Sequence, residues 1–440
     1  MEFSTNRINR ESQIDSNIII FLLSTYRLPV LFDGALNILL NISYISFFIF
    51  VIFLRLPSII KIKGINLRYF GIVIAFLIWG QFSFLRTFLN GHIEIFNVAV
   101  MLVWQWLILL LAISMISRLK NIFDLENLLR SLIVGASIYL VLNLFLAFLG
   151  IRAADYVDVY GFDVRSLVLR SLGLDWLTLI FPLGSSVKGL AGICLLVTLA
   201  TSSYFGKFHL KGDKYLPSKI VSLIAFLMLI NIDSRMGIAA LFATYSVAMI
   251  FDKRMIFFLG KFLILFSPFL PITFIFLAGI FQDLGIFSFI SRNAWDNIGT
   301  LSNRTVFWED AANVASNINV NTLIGFGING HIESGISERT GWVFEHRADN
   351  IHHTLHNTII QMFIDRGIIG LLLFQAVIFF LMDRLSRAGN IGLRMGLVIL
   401  GLLVFGQTES LFSVAPIDTF TIFIFLIVIC SSSFLDKRSY

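Results

Sequence analysis

The chain has 440 residues, of which 57% are hydrophobic and only 14% charged, with a formal net charge of +6 at pH 7. A water-soluble protein carries roughly 25% charged residues, and no single aqueous core hides this much apolar surface. A soluble globular protein is therefore excluded. Repeated apolar runs of about 20 residues match the thickness of a bilayer core, where helices satisfy their own backbone groups. The composition implies an all-α membrane protein, a polytopic helical bundle.

The opening stretch, MEFSTNRINRESQIDSN, is polar and lacks a small-residue cleavage site. The first apolar run is therefore expected to stay in the mature protein. Hydropathy predicts about twelve transmembrane helices. The first five lie near residues 18–33, 35–54, 69–89, 95–116 and 128–150. The next four lie near 187–206, 218–233, 236–251 and 256–281, and the last three near 357–382, 392–412 and 418–434. Cys194 and Cys430 fall inside apolar runs and read as small core residues, not as a disulfide or a metal cluster.

Alternate connections differ in charge. One set holds Arg55, Lys61, Lys63 and Arg68, then Arg118 and Lys120, then Lys207, Lys211, Lys214 and Lys219. It continues with Lys253, Arg254, Arg384, Arg387 and Arg394, and ends with Lys437 and Arg438. The opposite set is longer, yet outside its helices it holds only Arg152, Arg165, Arg170, Arg235, Arg292, Arg304, Arg339 and Arg347. The positive-inside rule puts the first set, and both termini, in the cytoplasm. Topology thus explains the basic charge, and a nucleic-acid partner is not needed.

Two segments of this single transmembrane domain, residues 1–440, are expected on the outer side. Residues 151–186 form an amphipathic, aromatic stretch suited to lying along the membrane surface. Residues 283–355 form the longest polar stretch, with Trp295, Trp308, Trp342 and the turn-rich IGFGINGH. A loop of that length is usually functional or disordered; its tryptophans and turns predict a large ordered loop.

Three unusual groups share this outer side. Arg235 sits in IDSRMG between the seventh and eighth spans, Arg304 in SNRTVFWEDA, and His356 opens the tenth span. A guanidinium fork suits phosphate oxygens. A histidine beside such cations is held neutral and can accept a proton. Structural readings also fit: Arg235 pairing with Asp233, Arg304 with Glu309 or Asp310, His356 with Asn357 capping a helix, and Gly367 with Gly370 packing helices. His352 and His356 stand four apart, a zinc-compatible spacing, but no third ligand accompanies them, so a metal is not expected.

From the long outer loop into the tenth span, the sequence resembles the O-antigen ligase and O-antigen polymerase superfamily. The resemblance is carried by His356, Asn357, nine residues, then Gly367 and Gly370. Ser234, Arg235 and Gly237 match its Ser-Arg-x-Gly turn; Arg304 and Trp308, then Gly325 and Gly327, match its loop motifs. It spans about residues 230–410.

The resemblance implies a metal-independent membrane glycosyltransferase of the bacterial inner membrane, needing no cofactor, with its active site periplasmic. The donor would be an undecaprenyl-pyrophosphate-linked glycan and the acceptor another glycan. His356 would accept or position the acceptor hydroxyl's proton, while Arg235 and Arg304 stabilise the departing pyrophosphate. Arg170, Asn357, His352, His353 and Glu409 would contact or support the substrate. A polymerase joining repeat units is favoured by a Phe- and Ile-rich chain with an idiosyncratic loop. A ligase acting on lipid A–core is the alternative, and a transporter or flippase a remoter one, disfavoured by few internal charges and no inverted repeat. A chain-length regulator and a flippase are the implied protein partners.

Overall fold

The computed structural model describes residues 10–32, 34–60, 64–91, 95–152, 179–183, 187–202, 219–273, 304–340, 354–412 and 419–436, with a few isolated positions. The first half comprises α1 (Arg10–Thr25), a 3-10 turn (Leu28–Leu31), α2 (Gly34–Leu54), α3 (Leu56–Ile60), α4 (Leu67–Leu89), α5 (Ile95–Ile116) and α6 (Ile122–Phe148). Then come α7 (Val187–Thr201), a two-residue hairpin (Tyr204–Phe205 against Phe208–His209), α8 (Lys219–Asn231), α9 (Arg235–Ile250) and α10 (Lys253–Phe266). Four short helices follow: α11 (Arg304–Ser316), α12 (Val320–Ile324), α13 (Gly330–Glu333) and α14 (Ile336–Thr340). The chain closes with α15 (Thr358–Ser386), α16 (Gly389–Phe405) and α17 (Thr419–Ile429).

Among the described residues, five helical stretches are long and apolar enough to cross a membrane: Arg10–Leu31, Gly34–Leu54, Leu67–Leu89, Ile122–Phe148 and Thr358–Ser386. Six shorter apolar helices pack with them. α17 is buried along its whole length, as a helix apolar on every side must be when it forms the middle of a bundle. α2 is its opposite, with Leu36, Ile38, Leu39, Ile42, Phe50 and Phe53 all exposed. An apolar surface of this extent finds its favourable surroundings in lipid. The protein is an all-α membrane protein.

α1 starts earlier than hydropathy predicts, because its polar residues are neutralised by partners rather than left to solvent. Asp15 is buried 2.5 Å from Arg55 and 3.6 Å from Arg118. Asn127 of α6 donates to Ser16 at 2.6 Å. A hydropathy window counts such a carboxylate as if it were alone.

A few contacts fix which helix ends meet. α7 runs antiparallel to α16. A Cβ on Gly192 would touch Leu402 and Leu411, while Arg394 donates to the carbonyls of Ala200 and Ser202 at 2.8 and 2.9 Å. Leu179 N–H donates to Asn231 at 3.1 Å, and Leu183 N–H to Asn143 at 3.0 Å. The last turns of α6, α8 and α16 therefore share one end of the bundle with the first turns of α7, α9 and α15. Arg55, Arg118, Arg384 and Arg394 collect at the other end, where Arg384 ties α15 to the chain after α17 through the Cys430 carbonyl at 3.0 Å.

Candidate active site

Asn357 starts α15. Its Oδ1 accepts the N–H groups of Ile359 and Ile360 at 2.8 and 3.0 Å, satisfying donors that a helix start otherwise orphans. Its Nδ2 donates to the Gln407 carbonyl at 2.6 Å. Thr358 fastens the same two segments. Its N–H reaches the Gly406 carbonyl at 2.8 Å, and its Oγ1 donates to the Glu409 carbonyl at 2.8 Å while accepting Leu411 N–H at 3.0 Å. The mouth of α15 and the turn after α16 are one rigid unit.

His356 sits on this unit with φ +49°, a left-handed conformation that costs a non-glycine residue of order 1 kcal/mol. The preceding residue is clamped on both sides. Leu355 N–H donates to Gln361 Oε1 at 2.8 Å, and its carbonyl accepts Trp308 Nε1–H at 2.9 Å. Trp308 belongs to α11, whose Phe307, Trp308 and Ala311 pack on Ile336, Leu355 and Ile364. The helix that begins with Arg304 is thereby docked against the histidine.

Glu409 joins the charged groups. Arg304 Nη2 donates to its Oε1 at 2.7 Å, and Nη1 to the Thr408 carbonyl at 2.6 Å. His356 Nδ1 lies 3.4 Å from Oε2, and Lys188 Nζ lies 3.7 Å from the same oxygen. Lys188 also donates to Thr354 Oγ1. Burial, then the Lys188 ammonium, pushes the His356 imidazole down to about 3, outweighing the hydrogen bond to Glu409. Burial alone would raise Glu409, but Arg304, His356 and Lys188 hold it at about 2. At neutral pH the carboxylate is ionised and the imidazole uncharged. Nδ1–H then faces Glu409, and Nε2 keeps the lone pair a general base needs. The histidine side chain retains 23% of its accessible surface, so the ring is reachable.

The glycine motifs have a shared purpose. Gly367 breaks α15 with φ +68°, which frees the Ile364 and Asp365 carbonyls from the helix ladder. Phe326 and Gly327 N–H groups take those carbonyls at 2.8 and 3.0 Å. Gly325 has φ +88°, and a Cβ there would collide with the backbone of Asp365 and Arg366. Gly370 leaves room for Trp79, whose Nε1–H reaches the Arg366 carbonyl at 2.8 Å. The Gly-x-Gly turn is thus seated in the kink of α15, with α4 holding its other side through Arg86 to Gly325 and Thr87 to the Ile328 carbonyl. This close fit of backbone on backbone replaces the reading of Gly367 as ordinary helix packing, while Gly370 does pack α15 against α4.

Arg304, His356 and Glu409, three residues singled out by sequence, meet in one cluster. Arg304 does not pair with Glu309 or Asp310; it opens α11 and reaches back to Glu409, while Asp310 holds Arg339 at 3.0 Å. Arg235 opens α9 at the same end of the bundle, with its guanidinium 3.9 Å from Asp233. Ser234 caps that helix by accepting Gly237 N–H at 3.3 Å. Asn357 is fully buried, its amide engaged with backbone. Arg170, His352 and His353 lie outside the described residues. Lys188 was not anticipated. Its one sequence signal is a cation in the first turn of an apolar helix, where the helix dipole disfavours it.

A helical membrane bundle with an imidazole, a carboxylate and two cations gathered at the mouth of one helix defines the class: a polytopic membrane protein with a built polar site. Residues 220–375, a little over a third of the chain, match the protein family described as O-Antigen ligase, which supports the resemblance to the O-antigen ligase and polymerase superfamily. Arg235, Arg304, His356 and the glycine motifs fall inside the match; Lys188 and Glu409 lie outside it. No curated protein matches the chain.

Proposed function

We propose that this protein is an O-antigen polymerase, joining undecaprenyl-pyrophosphate-linked repeat units on the periplasmic face of the bacterial inner membrane. The observation that carries the reading is His356, held by Glu409 through Nδ1 with no partner at Nε2 among the described residues, beside Arg304. The acceptor hydroxyl gives its proton to Nε2 as its oxygen bonds to the donor's anomeric carbon. The bond from that carbon to the pyrophosphate breaks, and the electron pair leaves on phosphate oxygen. Arg304 and Arg235 offset the growing charge. Such preorganised donors are commonly worth about 3–4 kcal/mol each. These cations supply the positive charge without a metal. The separation of Arg55, Arg118, Arg384 and Arg394 from the site supports a topology with that end of the bundle, and both termini, cytoplasmic.

A ligase that moves lipid-linked polymer to lipid A–core is the second reading, favoured by the description of the matching family. Both use the same chemistry. Purified protein given lipid-linked repeat units, with and without lipid A–core, separates them. A polymerase lengthens the lipid-linked glycan in either mixture; a ligase forms product only when core is present. Inactivity in both mixtures refutes the transferase reading.

A further inference from the structure

We infer that Gln361 and Asp365 form a positioning relay for the base: Asp365 fixes which way the Gln361 amide faces, and that amide holds the Leu355 backbone that sets His356. The inference rests on the reading of His356 as the general base.

The relay runs along one face of α15. Residues four apart stack on a helix, and their side chains lean toward its N-terminus. Gln361 therefore reaches back to the chain before the helix, and Asp365 reaches back to Gln361. Gln361 Oε1 accepts Leu355 N–H at 2.8 Å, while its Nε2 donates to Asp365 Oδ1 at 2.8 Å and lies 3.3 Å from His331 Nδ1. Asp365 Oδ1 also accepts Gly330 N–H at 2.9 Å, which ties the carboxylate to the first residue of α13. Both side chains are buried, Asp365 completely.

This pattern determines the orientation of the amide. Turned the other way, Gln361 would set its oxygen against a carboxylate oxygen and its NH2 against the Leu355 N–H. Both contacts would be repulsive in surroundings that screen them poorly. With Asp365 in place, only one orientation accepts Leu355 N–H. That bond matters because His356 follows directly, in the left-handed conformation at φ +49°. Leu355 is held at its N–H by Gln361 and at its carbonyl by Trp308, so the chain entering His356 has little freedom. Without the Gln361 bond the backbone can relax out of that conformation, and the imidazole loses its place beside Glu409. A buried carboxylate is costly in an apolar bundle; here it secures the direction of one hydrogen bond.

The test is transfer from lipid-linked repeat units by full-length reconstituted variants, with thermal midpoints alongside. Gln361→Met keeps the length of the side chain but neither hydrogen bond. It should lower kcat about 10- to 100-fold, the cost expected of a base displaced by about 1 Å, and leave KM within about twofold because Arg304 and Arg235 are untouched. Gln361→Asn keeps the amide but is one methylene too short to span both partners; it should slow kcat in the same way, and serves where Gln361→Met folds poorly. Gln361→Glu should restore most of the rate. Two buried carboxyls in contact share a proton, so an acid O–H faces Asp365 while the other oxygen accepts Leu355 N–H. Asp365→Leu should be as slow as Gln361→Met, and the double variant no slower than Gln361→Met alone, since Asp365 acts through Gln361. Wild-type kcat in Gln361→Met or Gln361→Asn, a Gln361→Glu variant as slow as Gln361→Met, or losses that multiply in the double variant each overturn the relay. An inactive wild-type protein overturns the transferase reading instead.

Discussion

Replacing Glu409 by Gln removes one charge while keeping the side chain's shape, and the geometry sets the expected cost. The carboxylate accepts from Arg304 at 2.7 Å and faces His356 Nδ1 at 3.4 Å and Lys188 at 3.7 Å. A hydrogen bond to a charged group contributes about 1.5–3 kcal/mol, and each 1.36 kcal/mol is a factor of ten in rate. Losing one such interaction in the transition state lowers the rate roughly 10- to 150-fold. The true loss should sit at or above the top of that range for two reasons. Arg304 and Lys188 would repel one another without the carboxylate between them. A Gln carbonyl or amide can face Nδ1 equally well, so the tautomer that exposes the Nε2 lone pair is no longer enforced. The assay is single-turnover transfer by purified Glu409→Gln with lipid-linked repeat units, alongside its thermal midpoint. A rate within twofold of wild type in a folded variant would refute the idea that Glu409 orients the base.

The remaining perturbations test other joints of the same site. Because burial and Lys188 hold His356 near 3, the kcat/KM profile should show no acid limb from this residue around pH 6.5; a limb there would mean the imidazole is not depressed. Stability has the matching sign. Between about 3 and 6.5 the unfolded chain protonates His356 and the folded protein does not, so denaturation midpoints should fall as pH drops through that window. Glu409 acts in the same direction, its stabilisation complete above 4.5 and lost as pH falls toward about 2. Trp308→Phe keeps an aromatic side chain but deletes the donor to Leu355 and part of the buried ring volume; stability should fall by at least about 1–3 kcal/mol, with kcat affected more than KM. Gly325→Ala forces a Cβ into the α15 kink at φ +88°, and should lower stability by at least about 1–3 kcal/mol in a melting experiment.

Much of the framework was legible because lipid imposes a simple rule on sequence. α2 and α4 begin and end within two residues of where apolar runs predict. That rule failed at α1, where Asp15 is masked as polar until Arg55 and Arg118 are seen beside it. The His-Asn…Gly-x-x-Gly spacing pointed to the site, but its meaning did not follow from spacing. Gly367 is a kink that exposes carbonyls to a loop some forty residues earlier, and only the folded chain shows that pairing. Arg304 misled local reasoning because carboxylates lie nearby in sequence at Glu309 and Asp310. The first residue of a helix can reach off its end, here to a group far along the chain. Lys188 escaped because a single lysine is absorbed into an apolar window, although its helix position carries an electrostatic penalty that asks for a reason.

The most direct measurement is single-turnover transfer by reconstituted His356→Gln, which keeps the size and polarity of the side chain but supplies no basic nitrogen. The expected result is product at the protein-free background, in a variant that melts within a few degrees of wild type and still binds undecaprenyl pyrophosphate. Transfer at a wild-type rate would show that the base lies elsewhere and that the cluster around Glu409 serves only to hold the helices together.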